Sequence, residues 1–96
     1  MTDKSEPATF DDLDWATITG PDKKALSTFS RRAIDFEILA NAPGVGQKSM
    51  DALIGKGLAI EGAPSTVHGR RFKLTDKGWL AVEWIQGRRT RVYPSA

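Results

Sequence analysis

Residues 53–60 read Leu53-Ile54-Gly55-Lys56-Gly57-Leu58-Ala59-Ile60, and residues 70–78 read Arg70-Arg71-Phe72-Lys73-Leu74-Thr75-Asp76-Lys77-Gly78. These two stretches specify a helix end, two strands and a helix start. Gly57 suits the left-handed residue that follows a helix. Leu58–Glu61 reads as a short strand. Arg71–Leu74 alternates, which turns Phe72 and Leu74 inward and Arg71 and Lys73 outward. Thr75 suits the N-cap of a last helix over Asp76–Gln86, with Leu80, Ala81, Trp84 and Ile85 as its apolar face and Gly87 as its stop. Between the strands, residues 62–69 contain Gly62, Pro64 and Gly69 and predict a loop.

Working upstream, Met50, Leu53 and Ile54 share one helical face and predict a helix from Val45 or Gly46 to Lys56. Pro43 and Gly44 break whatever precedes it. A helix over Pro21–Phe29 would bury Ala25, Leu26 and Phe29. Ser30 is then an N-cap for a second helix, Arg31–Asn41, with Ala33, Ile34, Phe36, Ile38 and Leu39 as its apolar positions. One longer helix over both segments is an open alternative. Leu13, Trp15 and Ile18 read as a short strand or extended segment. Residues 1–14 are expected to form an acidic flexible tail, 15–87 the domain, and 88–96 a basic C-terminal tail. The expected class is α+β: a three-helix core, a two-stranded wing at 62–74 and a C-terminal helix, the order of a winged helix-turn-helix.

Length and composition narrow the function. The chain has 96 residues, enough for one small core. It contains no cysteine and one histidine, so disulfides, thiol nucleophiles and multi-His metal sites cannot be assembled within it. No apolar run approaches the ~20 residues of a membrane span, and a cytoplasmic, nucleoid-associated setting is expected. No catalytic dyad, acid pair or phosphate-binding glycine loop emerges. Gly46-Gln47-Lys48-Ser49 lacks the adjacent Gly-Lys of a P-loop. The expectation is therefore no enzyme, no cofactor and no metal. Charge is unevenly distributed. Residues 1–22 carry six acids against Lys4, a net −5, while residues 23–96 carry thirteen bases against six acids, a net +7. A basic domain of this size fits a polyanionic partner.

The two stretches quoted first resemble bacterial winged-helix regulators of the multiple-antibiotic-resistance (MarR) type. In that family a helix ends in L-x-x-x-G-L-I, and a wing bearing arginine returns through L-T-x-x-G. The resemblance covers roughly residues 22–86. It implies double-stranded DNA as partner and transcriptional regulation as role. Pro43-Gly44-Val45-Gly46-Gln47-Lys48 is in turn similar to a helix-hairpin-helix motif, which would grip a phosphate through backbone amides without reading sequence.

On these readings helix 46–56 enters the major groove. Gln47, Lys48 and Ser49 supply donors, Ala52 and Gly55 permit close approach, and Lys56 flanks them. Asp51 sits awkwardly among them unless it accepts from a cytosine amine. The wing would bring His68, Arg70, Arg71 and Lys73 to the backbone or minor groove. Arg88 and Arg89 would extend the phosphate footprint. Arg31 and Arg32, expected in the first turn of a helix where cations are disfavoured, point to an anionic partner. The other occupants the sequence admits are a protein partner of a winged-helix interaction module, or a second copy of the chain.

Overall fold

The computed structural model describes residues 8–33, 35–67 and 69–93. Their order is β1 (Ala8–Thr9), α1 (Asp12–Ala16), α2 (Gly20–Arg32), a single 3-10 turn (Leu39–Asn41), α3 (Gln47–Gly55), β2 (Ala59–Glu61), β3 (Phe72–Leu74), α4 (Asp76–Ile85) and β4 (Val92–Tyr93). The class is α+β, as expected. Ile34 and His68 lie outside the described residues, as do residues 1–7 and 94–96.

Helix α2 starts where Thr19 caps the Asp22 N–H and the Asp22 carboxylate reaches back to the Thr19 N–H, a reciprocal capping box. It buries Ala25, Leu26 and Phe29 and packs on α3 and α4. The expected second helix at Arg31–Asn41 does not form. Helix α2 runs through Ser30 to Arg32 and stops at Ala33, whose backbone is extended. Ser30 is no N-cap: its hydroxyl donates to the Ser27 carbonyl inside α2. Beyond it the backbone pairs as a strand does at Glu37. Glu37 exchanges both backbone hydrogen bonds with Phe72, each 2.8 Å. That pairing outcompetes helix here, because Phe72 would otherwise lack partners on this side.

Gly46 is the N-cap of α3, and Met50 and Leu53 face the core. Gly57, with a φ of 76°, turns the chain into β2. Strands β2 and β3 are antiparallel, with Ala59 opposite Leu74 and Glu61 opposite Phe72. Thr75 then accepts from the Gly78 N–H and donates to the Gly57 carbonyl, tying the start of α4 to the end of α3. A side chain at Gly78 would meet the Leu58 carbonyl oxygen, so the absence of a Cβ lets α4 lie against the segment that leads into β2.

Both ends of the described chain differ from expectation. Within the supposed flexible tail, Ala8–Thr9 form a strand and Phe10 is buried. Within the supposed basic tail, Val92–Tyr93 form its antiparallel partner. Phe10 packs edge-on to Trp84 with ring centroids 5.1 Å apart. The Trp84 indole donates to the Thr90 carbonyl at 2.7 Å. Leu13, Trp15 and Ile18 are not on a strand either: Asp11 caps the short helix α1 through a second capping box. Leu13 points to solvent while Ile18 is buried.

Candidate nucleic-acid interface

Helix α3 turns Gln47, Lys48, Asp51, Ala52 and Gly55 to solvent, with Ser49 half-buried at the flank. Its inner face carries Met50 and Leu53, both fully buried. The face expected to read DNA is thus the outer one. Gly46 supplies no side-chain cap to the first amides of α3. Gln47 donates to the Asp51 carboxylate at 2.9 Å, one turn along the same face.

Lys56 plays a different part from the one expected. Its ammonium forms an ion pair with Asp22 and donates to the Thr17 carbonyl at 2.8 Å. It joins the end of α3 to the start of α2. Burial works to raise the Asp22 pKa, but hydrogen bonds from Lys56 and Thr19 outweigh it and hold the carboxyl below its ordinary value. Beside this pair, Thr19, Pro21, Lys48, Ser49 and Ala52 line a groove of about 350 Å³.

The β2–β3 hairpin brings Arg70 to α3, but not as a free cation. The guanidinium makes a two-pronged contact with Glu61, 2.9 Å on each prong, and lies 3.5 Å from Asp51. Hydrogen bonding to Arg70 lowers the Glu61 pKa, and the same bond raises that of Arg70. Arg71 donates to the Ala63 carbonyl at 2.9 Å and lies over the Phe36 ring. Lys73 stands over the same ring and 3.9 Å from Asp35. The hairpin's cations are therefore partly neutralised or folded onto its own base.

Arg31 and Arg32 occupy the last turn of α2, not the first turn of a helix. Cations are favoured there, so the argument that they break a local rule is overturned. Arg88 is exposed, and Arg89 stacks 4.6 Å from the Trp84 ring centroid and 5.7 Å from that of Trp15. The acidic stretch folds back on the basic one: Asp12, Asp14 and Asp22 pair with Arg91, Lys77 and Lys56. Among the described residues Lys23, Lys24, Arg31, Arg32, Lys48, Arg71, Arg88 and Arg89 take part in no ion pair.

Sequence reasoning missed the polar chain Gln47–Asp51–Arg70–Glu61 that links α3 to the hairpin. Glu61 lies at the end of a strand that the sequence placed, but its pairing across the hairpin has no local signal. No group of three or more metal-ligating side chains exists among the described residues. No helix among them is long and apolar enough to cross a membrane. No protein-family model matches the sequence, and no curated protein or solved structure is significantly similar to it.

Proposed function

We propose that this chain is a DNA-binding protein of winged helix-turn-helix architecture, acting in transcriptional regulation, with α3 in the major groove of duplex DNA. The observation that carries the reading is the outer face of α3. Lys48, Ala52 and Gly55 are all exposed on a helix whose other side is core. Small residues at Ala52 and Gly55 let a helix sit close to base edges, and Gln47, Lys48 and Ser49 offer donors there. The uncapped amides at the start of α3 are suited to a phosphate. The order of elements supports the architecture. An extended segment bridges β3 through Glu37, the compact 3-10 turn takes the place of a second helix, and the β2–β3 hairpin stands as the wing.

The test is binding of a fluorescently labelled mixed-sequence duplex at several salt concentrations. The expected result is a steep fall of affinity with salt, since each neutralised phosphate contributes a slope of about −0.9 in log K against log[salt]. Ala52→Glu should abolish binding while leaving the thermal melt unchanged. Salt-insensitive association, or full affinity in Ala52→Glu, would overturn the reading and leave a protein-interaction module as the better one.

A further inference from the structure

We propose that Gln47 is the base-reading side chain of α3, held by Asp51 in the orientation that matches adenine, and that the hairpin serves this reading through Arg70. The proposal rests on the reading that α3 faces duplex DNA, and it adds which base the helix selects and by which atoms.

Gln47 is the first residue of α3, and Gln47, Asp51 and Gly55 follow at every fourth position along its exposed side. Residues so spaced are neighbours on a helix surface. Gln47 Nε2 donates to Asp51 Oδ1 at 2.9 Å. An ionised carboxylate only accepts, so it turns the nitrogen of the amide toward itself and the carbonyl oxygen away. Nε2 carries two hydrogens. With one on Asp51, the second stays free, and so does Oε1, which has no partner among the described residues. The amide thus keeps one donor and one acceptor for a ligand.

Asp51 is itself held. Arg70 lies 3.5 Å from the same Oδ1. Its guanidinium is fixed from behind by two hydrogen bonds to Glu61 and stands 5.0 Å from the Phe72 ring centroid. A lone carboxylate on this face would repel phosphates, and Arg70 offsets its charge. Glu61, Arg70, Asp51 and Gln47 therefore act in series from β2 to the start of α3. Gly55 continues the row, and a Cβ there would meet nothing within 4 Å. No packing inside the domain calls for glycine at that place. Its absent side chain leaves room for another molecule to come close.

The major groove supplies the selection. The residues at the N-terminal end of a reading helix are the ones that reach base edges. Adenine presents an acceptor at N7 and a donor at N6, which one glutamine amide meets with both of its groups. Guanine presents acceptors at N7 and O6, so Oε1 would face a lone pair. Thymine and cytosine each offer a single polar group there. A glutamine free to turn its amide could suit more than one of these edges. Asp51 removes that freedom.

The experiment selects duplexes that the full chain binds from a randomised pool, then compares the best duplex with each of its single-base variants. The expected result includes one A·T position where replacing the pair weakens binding by about 5- to 150-fold, the range of one bidentate contact. Gln47→Ala should remove the preference at that position alone. Asp51→Ala should remove it too, yet bind the variant duplexes at least as tightly as the wild type, because a carboxylate has left the groove. Lost selectivity with undiminished affinity is not what a damaged fold gives. Both residues are exposed, and both variants should melt with the wild type. A preference that survives in Gln47→Ala or in Asp51→Ala, or a lost preference that was for G·C, overturns the proposal. If Ala52→Glu abolishes binding but the wild type has no such A·T position, adenine reading fails and the α3 reading stands. If the wild-type chain shows no salt-dependent duplex binding, or Ala52→Glu keeps full affinity, both fail.

Discussion

At Gly78 an added methyl group would be driven into the Leu58 carbonyl oxygen, with the Leu74 side chain closing the other side. The Leu58 carbonyl is backbone that also accepts from the Thr75 N–H, so it cannot yield without moving the chain. Gly78→Ala is therefore expected to destabilise the domain by about 2–3 kcal/mol, at the upper end of overpacking effects, as read by urea denaturation. Thr75 is the companion position. It caps α4 and bonds to the Gly57 carbonyl, so Thr75→Ala should cost about 1–2 kcal/mol. The Asp22–Lys56 pair contributes to the acid side of the stability curve. The Asp22 pKa in the fold is below its ordinary value of 3.8, so the pair's stabilisation is complete above that value and is lost as pH falls through the folded one. Asp22→Asn should cost about 1–3 kcal/mol at neutral pH, because it leaves Lys56 without its counter-charge. It should also blunt the loss of stability on acidification below the ordinary carboxylate value. Parallel acid-unfolding curves for the wild type and the variant would show that the pair contributes nothing.

Among the elements, those specified by local chemistry were legible in the sequence. Gly57, Thr75 and the alternation of Phe72 and Leu74 place the end of α3, the hairpin strands and α4 to within a residue or two. Residues 33–41 read as helix because Ala33, Phe36 and Leu39 recur every three residues, on one helical side. Asp35-Phe36-Glu37-Ile38 also alternates polar with apolar, the period of a strand, and the backbone is paired as a strand there at Glu37. What decided between them is the Glu37–Phe72 pairing, a contact across half the domain that no local window contains. The candidate site shows the same division. Exposure of Lys48, Ala52 and Gly55 follows from the burial of Met50 and Leu53, whereas the Arg70 contacts with Glu61 and Asp51 depend on how the hairpin meets α3. A double-mutant cycle between Asp51→Ala and Arg70→Ala should return a small coupling of about 0.2–1 kcal/mol, since both side chains are about half exposed. Coupling above that range would mean the contact organises the hairpin rather than merely neutralising it.

Across the whole molecule, folding brings part of the acidic stretch against the basic one and leaves most of the described cations unpaired. The acidic stretch returns onto the basic one through Asp12, Asp14 and Asp22, and β1 pairs with β4 across the two ends of the described chain. This closure also completes the core. Phe10 is buried against Trp84, and Trp84 finds its only described hydrogen-bond acceptor at Thr90. Removing residues 88–96 would take away β4, the acceptor for the Trp84 indole and the Arg91 carbonyl that receives the Phe10 N–H. Phe10 would lose its anchorage and Trp84 its cover. The combined loss should reach about 3–5 kcal/mol, comparable to truncating one large buried aromatic. A domain of this size has about 5–10 kcal/mol in total, so the shortened chain should melt near physiological temperature. Tryptophan emission should shift to longer wavelength as Trp84 meets solvent. Phe10→Ala in the full-length chain should reproduce much of the loss without changing net charge, which separates packing from electrostatics. An unaltered melt for both variants would mean that the β1–β4 closure lies on the domain without stabilising it.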